Sequence, residues 1–191
     1  MAGSIFISYR RDLNRRDALH LQTLLGRHFG DKRVFVDSGG IPGGANFAQA
    51  LDQKVAECAA MVVLMGQGWA DVTDKDGKRR LDDVRDFVRV EIIKALQRKI
   101  PVLPVLIDGA AMPRETQIPQ EMWTFLLNQA VPLRTDSFTD DGNALARQLK
   151  VEMAKARRGP PSWALVIGLI LAVAIGIALG GWIFHTPNPY E

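Results

Sequence analysis

Glu91 and Phe87 stand four residues apart in the run Asp86 to Leu96, whose apolar spacing predicts a helix. At that spacing an aromatic ring and a carboxylate share one helix face and would line the same cleft. A carboxylate held in a cleft can stabilise positive charge developing on a bound molecule. Read alone, Glu91 is better explained as a solvated helix carboxylate paired with Lys94 at i,i+3. Tyr9, Arg10 and Arg11 follow a strand-like run. The arginine fork suits phosphate, although a solvated surface position is its commoner use. Asp37 ends a second strand-like run, where it could serve a ligand, cap a helix or brace a loop.

Other chemistries lack their residues. The chain has neither GxxxxGK[ST] nor GxGxxG after a strand, so a phosphate cradle at a helix N-terminus is not supported. No HExxH, GxSxG or Cys/His cluster occurs, which argues against metal hydrolases and serine hydrolases. We expect no metal and no cofactor. The lone cysteine, Cys58, can form no internal disulfide, which suits a reducing compartment. His20, His28 and His185 are scattered and suggest no site.

The elements that must position these residues belong to an α/β chain. Strand-like runs at Ser4–Tyr9, Arg33–Asp37, Met61–Met65 and Pro101–Ile107 alternate with helical patterns, and a weaker strand is expected at Ala130–Leu133. That alternation predicts a parallel sheet covered on both faces. Helices are expected over about Arg15 to His28, Phe47 to Glu57, Phe87 to Arg98 and Asp140 to Lys155, with a short one around Glu121 to Leu127. Cys58 is placed at the end of the second helix as a small core residue. Ser38 to Asn46, with four glycines and Pro42, reads as a flexible loop. In such a sheet, ligands bind at the carboxyl ends of the strands, which directs attention to the loops after Tyr9, Asp37 and Met65.

With 191 residues the chain suits one domain plus an appendage. The appendage is Trp163 to Phe184, 22 residues without a charge. At roughly 33 Å as a helix, this run matches a hydrocarbon core of about 30 Å. We expect a single transmembrane helix. A small domain could not surround so long an uncharged cylinder as a core helix. The expected organisation is a domain over 1–155, a basic and proline-containing linker over 156–162, the span over 163–184 and a short tail over 185–191. Lys150, Lys155, Arg157 and Arg158 precede the span and no Lys or Arg follows it, which places the N-terminal domain on the cytoplasmic side of the cell membrane. Gly168, Ala172, Gly176 and Gly180 recur every fourth position and would let two spans approach closely. A net charge of +3 without a one-sided basic patch points away from nucleic acid. The N-terminus shows no secretory signal.

Three motifs together carry a resemblance. Ser4-Ile-Phe-Ile-Ser-Tyr-Arg-Arg11, Val34-Phe-Val-Asp37 followed by Ile41-Pro-Gly43 and Phe47, and Asp86-Phe-Val-Arg-Val-Glu-Ile92 resemble the motifs of TIR domains, over about residues 3–150. Pro101 to Ile107 fits the family's next strand. The style is closest to bacterial members and to the NAD-cleaving TIR domain of the animal axon-degeneration factor.

The resemblance implies a flavodoxin-like, five-stranded parallel sheet in three layers. It implies cleavage of NAD+, as substrate, at the nicotinamide–ribose bond, with Glu91 as the catalytic carboxylate. The family places tryptophan one turn before this glutamate; Phe87 stands there instead. Tyr9, Arg10, Arg11, Asp37, Phe47 and Phe87 then become substrate-binding candidates. Gly40, Ile41, Pro42 and Gly43 match a mobile loop through which TIR domains contact one another. Self-association through this domain and through the span, contact with other TIR proteins and a lipid bilayer are the implied partners. A non-enzymatic adaptor acting through TIR–TIR contacts is the alternative, and a cyclic ADP-ribose product is a variant of the first.

Overall fold

The computed structural model describes residues 3–36 and 55–158, and Met1–Ala156 forms one compact unit of the chain. Five parallel strands make its single sheet: β1 (Ser4–Tyr9), β2 (Val34–Val36), β3 (Cys58–Met65), β4 (Val102–Ile107) and β5 (Val131–Leu133). Their order is β2-β1-β3-β4-β5, a doubly wound arrangement whose switch point lies between β1 and β3.

Side chains alternate across the sheet. Ile5, Ile7 and Tyr9 enter one core with Leu21, Leu25, Leu145 and Leu149, from helices α1 (Arg11–Phe29) and α3 (Phe138–Arg158). Phe6, Met61 and Val63 enter the opposite core with Val88, Ile92 and Phe125, from α2 (Phe87–Gln97) and the 3-10 helix Gln120–Leu127. Period two in the strands therefore sorts β1 so that Ser8 and Arg10, on the face of Phe6, point towards α2.

Several boundaries differ from the expected ones. Helix α1 begins at Arg11, four residues early, because its first turn is separate: Leu13 and Asn14 donate to the Arg10 carbonyl, and Asn14 is non-helical at φ −128°, ψ 27°. The apolar repeat starts only at Ala18, so this turn leaves no periodic trace. A Cβ on Gly66 would come within 2.7 Å of Asn14 Oδ1, so glycine is what lets the end of β3 approach the kink. Helix α3 runs on to Arg158, carried by the helix-forming Ala156, Arg157 and Arg158. The polar stretch after β3 is not open loop: 3-10 turns at Trp69–Asp71 and Arg80–Asp82 flank a Thr73–Arg79 bridge.

Cys58 is corrected to the first residue of β3, paired with Ser4 ahead of a register shift and packed in the core of Phe6, Met61 and Val63. Burial pushes its thiol up to about 11. Thiolate is the reactive form, so native protein at pH 8 should take up a thiol reagent far more slowly than denatured protein. Equal labelling rates by mass spectrometry would contradict this.

Asp141 closes the edge of the sheet. It accepts from the Arg134 backbone amide at 2.9 Å and pairs with the guanidinium at 2.7 Å, which pulls its carboxyl down to about 2. A depressed carboxyl contributes stability above its ordinary range that is lost as pH falls through the folded value. Asp141→Asn should therefore cost about 1 kcal/mol in urea unfolding at pH 7, discounted for the exposure of Arg134, and the difference should close near pH 2. A difference independent of pH would contradict the pairing.

Asp37, Gly40, Ile41, Pro42, Gly43 and Phe47 lie outside the described residues, as do most of the expected second helix and the run 163–184 with Gly168, Ala172, Gly176 and Gly180. Among the described residues no helix is long and apolar enough to cross a membrane.

Candidate active site

Where β1 ends, the chain leaves the sheet between α1 and α2 and leaves a cleft of about 120 Å³. Tyr9, Arg10, Arg11, Phe87 and Glu91, all named by the motif reading, line it together with Asp12, Val88 and Arg80. Glu91 is at the base, 2% exposed, and Ser8 donates to its Oε2 at 2.6 Å. It is therefore not a solvated helix carboxylate. Phe87, one turn earlier on α2, is 43% exposed at the rim.

Arg10 lines the cleft and is not the solvated arginine of a surface loop. It is 1% exposed, and its Nη1 pairs with Asp86 Oδ2 at 2.6 Å. Its guanidinium lies 5.8 Å from the centre of the Trp69 ring, within cation–π range. Its Nε and Nη2 are buried with no hydrogen-bond partner among the described residues. A guanidinium so enclosed needs its counter-ion, and Asp86 supplies one.

Asp86 also organises α2. Its Oδ1 accepts from the Arg89 amide at 3.0 Å, an N-cap that satisfies an otherwise orphaned donor of the first turn. Arg89 in turn donates to the Leu81 and Asp82 carbonyls at 3.1 Å each, fastening the Arg80–Asp82 turn to the helix. One residue therefore starts the helix that carries Phe87 and Glu91 and anchors the arginine beside them. Ser8, Asp86 and Arg80 belong to the site without being marked as site residues by the sequence motifs. Asp86 had left a signal, an N-cap type three residues ahead of Arg89, and Ser8 another, its place on the Phe6 face of β1.

Among the described residues no group of three or more His, Cys, Asp and Glu side chains is placed to hold a metal ion. The resources of the cleft are one buried carboxylate, an aromatic rim and guanidinium groups.

A sequence-family model described as a TIR domain matches residues 5–149. The chain belongs to the TIR-domain family. The match spans all five strands and the cleft. No curated protein matches the chain significantly. Among solved structures, this TIR chain is similar to the TIR domains of the activated Roq1 resistosome recognising the pathogen effector XopQ, at 16% identity and TM-score 0.42, covering 83% of this chain and 85% of that one. A prokaryotic SEFIR domain is similar at 10% identity and TM-score 0.47, covering 77% and 98%. A metazoan TIR-STING receptor from C. gigas, solved with 2',3'-cGAMP, is similar at 16% identity and TM-score 0.43, covering 75% of this chain and 39% of that one.

Proposed function

We propose that this TIR domain is an NAD+ nucleosidase that cleaves the nicotinamide–ribose bond when its copies cluster, serving as a bacterial defence or signalling effector. The observation that carries the reading is the placing of Glu91 and Phe87, one helical turn apart, on the wall of a cleft at the carboxyl end of β1.

Nicotinamide in NAD+ is already cationic, so the bond can break without a general acid. The bonding pair leaves with the ring as neutral nicotinamide, positive charge develops at the ribose C1′, water adds there, and a proton is released to solvent. Glu91 faces that charge and holds the ribose hydroxyls, a task for which one carboxylate suffices where a typical glycosidase uses two. The Ser8 hydroxyl fixes one carboxylate oxygen, limiting reorganisation. Phe87 packs on the nicotinamide. Arg11 and Tyr9 line the entrance, and Asp37 and Phe47 are assigned to substrate binding by the family motifs.

Gly40 to Gly43 form the loop that meets a neighbouring TIR domain. The run 163–184 anchors the chain as a single pass with the N-terminal domain cytoplasmic. Its stripe of Gly168, Ala172, Gly176 and Gly180 draws copies together and raises their effective concentration.

The test is chromatography of NAD+ incubated with the full chain assembled on liposomes. Nicotinamide should appear with ADP-ribose, or with its cyclic form if the ribose itself captures C1′. Intact NAD+ in confirmed assemblies would favour the adaptor reading. One observation supports that second reading: Glu91 already has a buried structural partner in Ser8.

A further inference from the structure

A second cavity, of about 170 Å³, adjoins the first beyond Phe87, and Arg80 and Phe87 line both. Neither reaches the roughly 300 Å³ of an ordinary small-molecule pocket. A ligand of dinucleotide size exceeds either cavity, and a path that fills both runs over the divide that these two side chains form.

Asp74 and Asp83 add negative charge to the wall of the second cavity, so the positive potential is confined to the divide itself. There the charge is unbalanced. Asp86 Oδ2 accepts from Arg10 at 2.6 Å and lies 3.3 Å from Arg80 Nε, so two guanidinium ions share one carboxylate. The other oxygen of Asp86 is engaged by the Arg89 amide. The α2 N-terminus adds further positive potential. Two Arg10 donors, Nε and Nη2, are buried and without a partner among the described residues. Asp12 offers Arg80 only a loose contact, Nη1 to Oδ2 at 3.4 Å, and is itself 72% exposed. A pair so exposed is weak and exchangeable. Arg80 is nevertheless well placed: Leu81 beside it is fully buried and Arg89 holds the turn.

We propose that Arg80 is a substrate-binding residue that holds the diphosphate of a dinucleotide as it passes between the two cavities, exchanging Asp12 for a phosphate oxygen. The proposal rests on the dinucleotide reading of the cleft and assigns its phosphate contact to a residue outside the family motifs.

The experiment uses the full chain, with wild type, Arg80→Gln, Arg80→Lys and Asp12→Asn matched for thermal stability. Cleavage of NAD+ is compared with cleavage of nicotinamide riboside, which has the same scissile bond and no diphosphate. Affinity for ADP-ribose is measured by calorimetry. Arg80→Gln should lower kcat/KM for NAD+ about tenfold or more, chiefly through KM, and weaken ADP-ribose by a similar factor. Its effect on nicotinamide riboside should be much smaller. Arg80→Lys should lose less, and Asp12→Asn should tighten ADP-ribose about two- to fivefold. Equal losses on both substrates, or ADP-ribose affinity indifferent to Arg80 or absent in the wild type, would overturn the proposal. Arg80-dependent binding of ADP-ribose by a wild type that cleaves neither substrate would uphold the proposal and overturn the nucleosidase reading.

Discussion

Glu91→Gln is expected to lower NAD+ cleavage by about 100- to 1,000-fold while leaving the thermal transition nearly unmoved, the size of losing one electrostatic stabiliser of a transition state. The amide keeps the volume of the carboxylate and can still accept from Ser8, so the substitution changes charge with little change of shape. Because the charge matters most as C1′ becomes positive, kcat should fall by far more than KM rises, the rise reflecting the weaker hold of an amide on the ribose hydroxyls. Glu91→Asp should also be poor, since shortening the side chain at a 2% exposed position withdraws the carboxylate from a fixed geometry. Steady-state kinetics on assembled protein, with circular dichroism and thermal melting on the same samples, checks all three statements. A Glu91→Gln variant that cleaves NAD+ like the wild type would remove this residue from the chemistry.

The largest stability effect is expected at the other end of the same helical turn. Asp86→Ala strips the counter-ion from a guanidinium that is 1% exposed and removes the cap of α2 together. Breaking a buried pair from one side costs about 3–5 kcal/mol, because the remaining charge has no solvent to receive it. For a domain of this size that is a fall in Tm on the order of 10 °C. Removing both charges, as Arg10→Met with Asp86→Leu, should be milder than Asp86→Ala alone, since no ion is left stranded and Arg80 is partly solvated. Differential scanning calorimetry on the three proteins tests this. A double variant less stable than Asp86→Ala would show that the pair contributes more than mutual neutralisation.

The strands and the described helices were legible because they depend on local composition. β1, over Ser4–Tyr9, agrees with its expected range residue for residue, and β3 and β4 are apolar throughout as strands buried on both faces must be. Boundaries that depend on contacts were less legible. The first turn of α1 is held by the Arg10 carbonyl and the Asn14 kink, neither of which has a periodic signature. Cys58 follows a helical pattern in sequence and becomes a strand residue only by pairing with Ser4 of β1.

The site divides in the same way. The approach of Glu91 and Phe87 to Tyr9 was expected from the motifs, and the cleft unites them. Arg10 was legible as a site candidate but not as a buried one, because Tyr-Arg-Arg after a strand reads as exposed loop. What turns it inward is Asp86, 76 residues away in sequence, with Trp69 beneath it. Arg80 sits in a stretch of alternating charge that looks like solvated surface. It becomes part of the cleft through the burial of Leu81 and the grip of Arg89.

The central claim, that the Glu91 cleft breaks the nicotinamide–ribose bond in clustered protein, is tested most directly by nicotinamide release from the full chain on liposomes at increasing surface density, beside Glu91→Gln at the same densities. The rate per molecule should rise with density for the wild type and stay near background for the variant. Release that is equal in the two proteins, or absent from dense and correctly folded wild type, would contradict it.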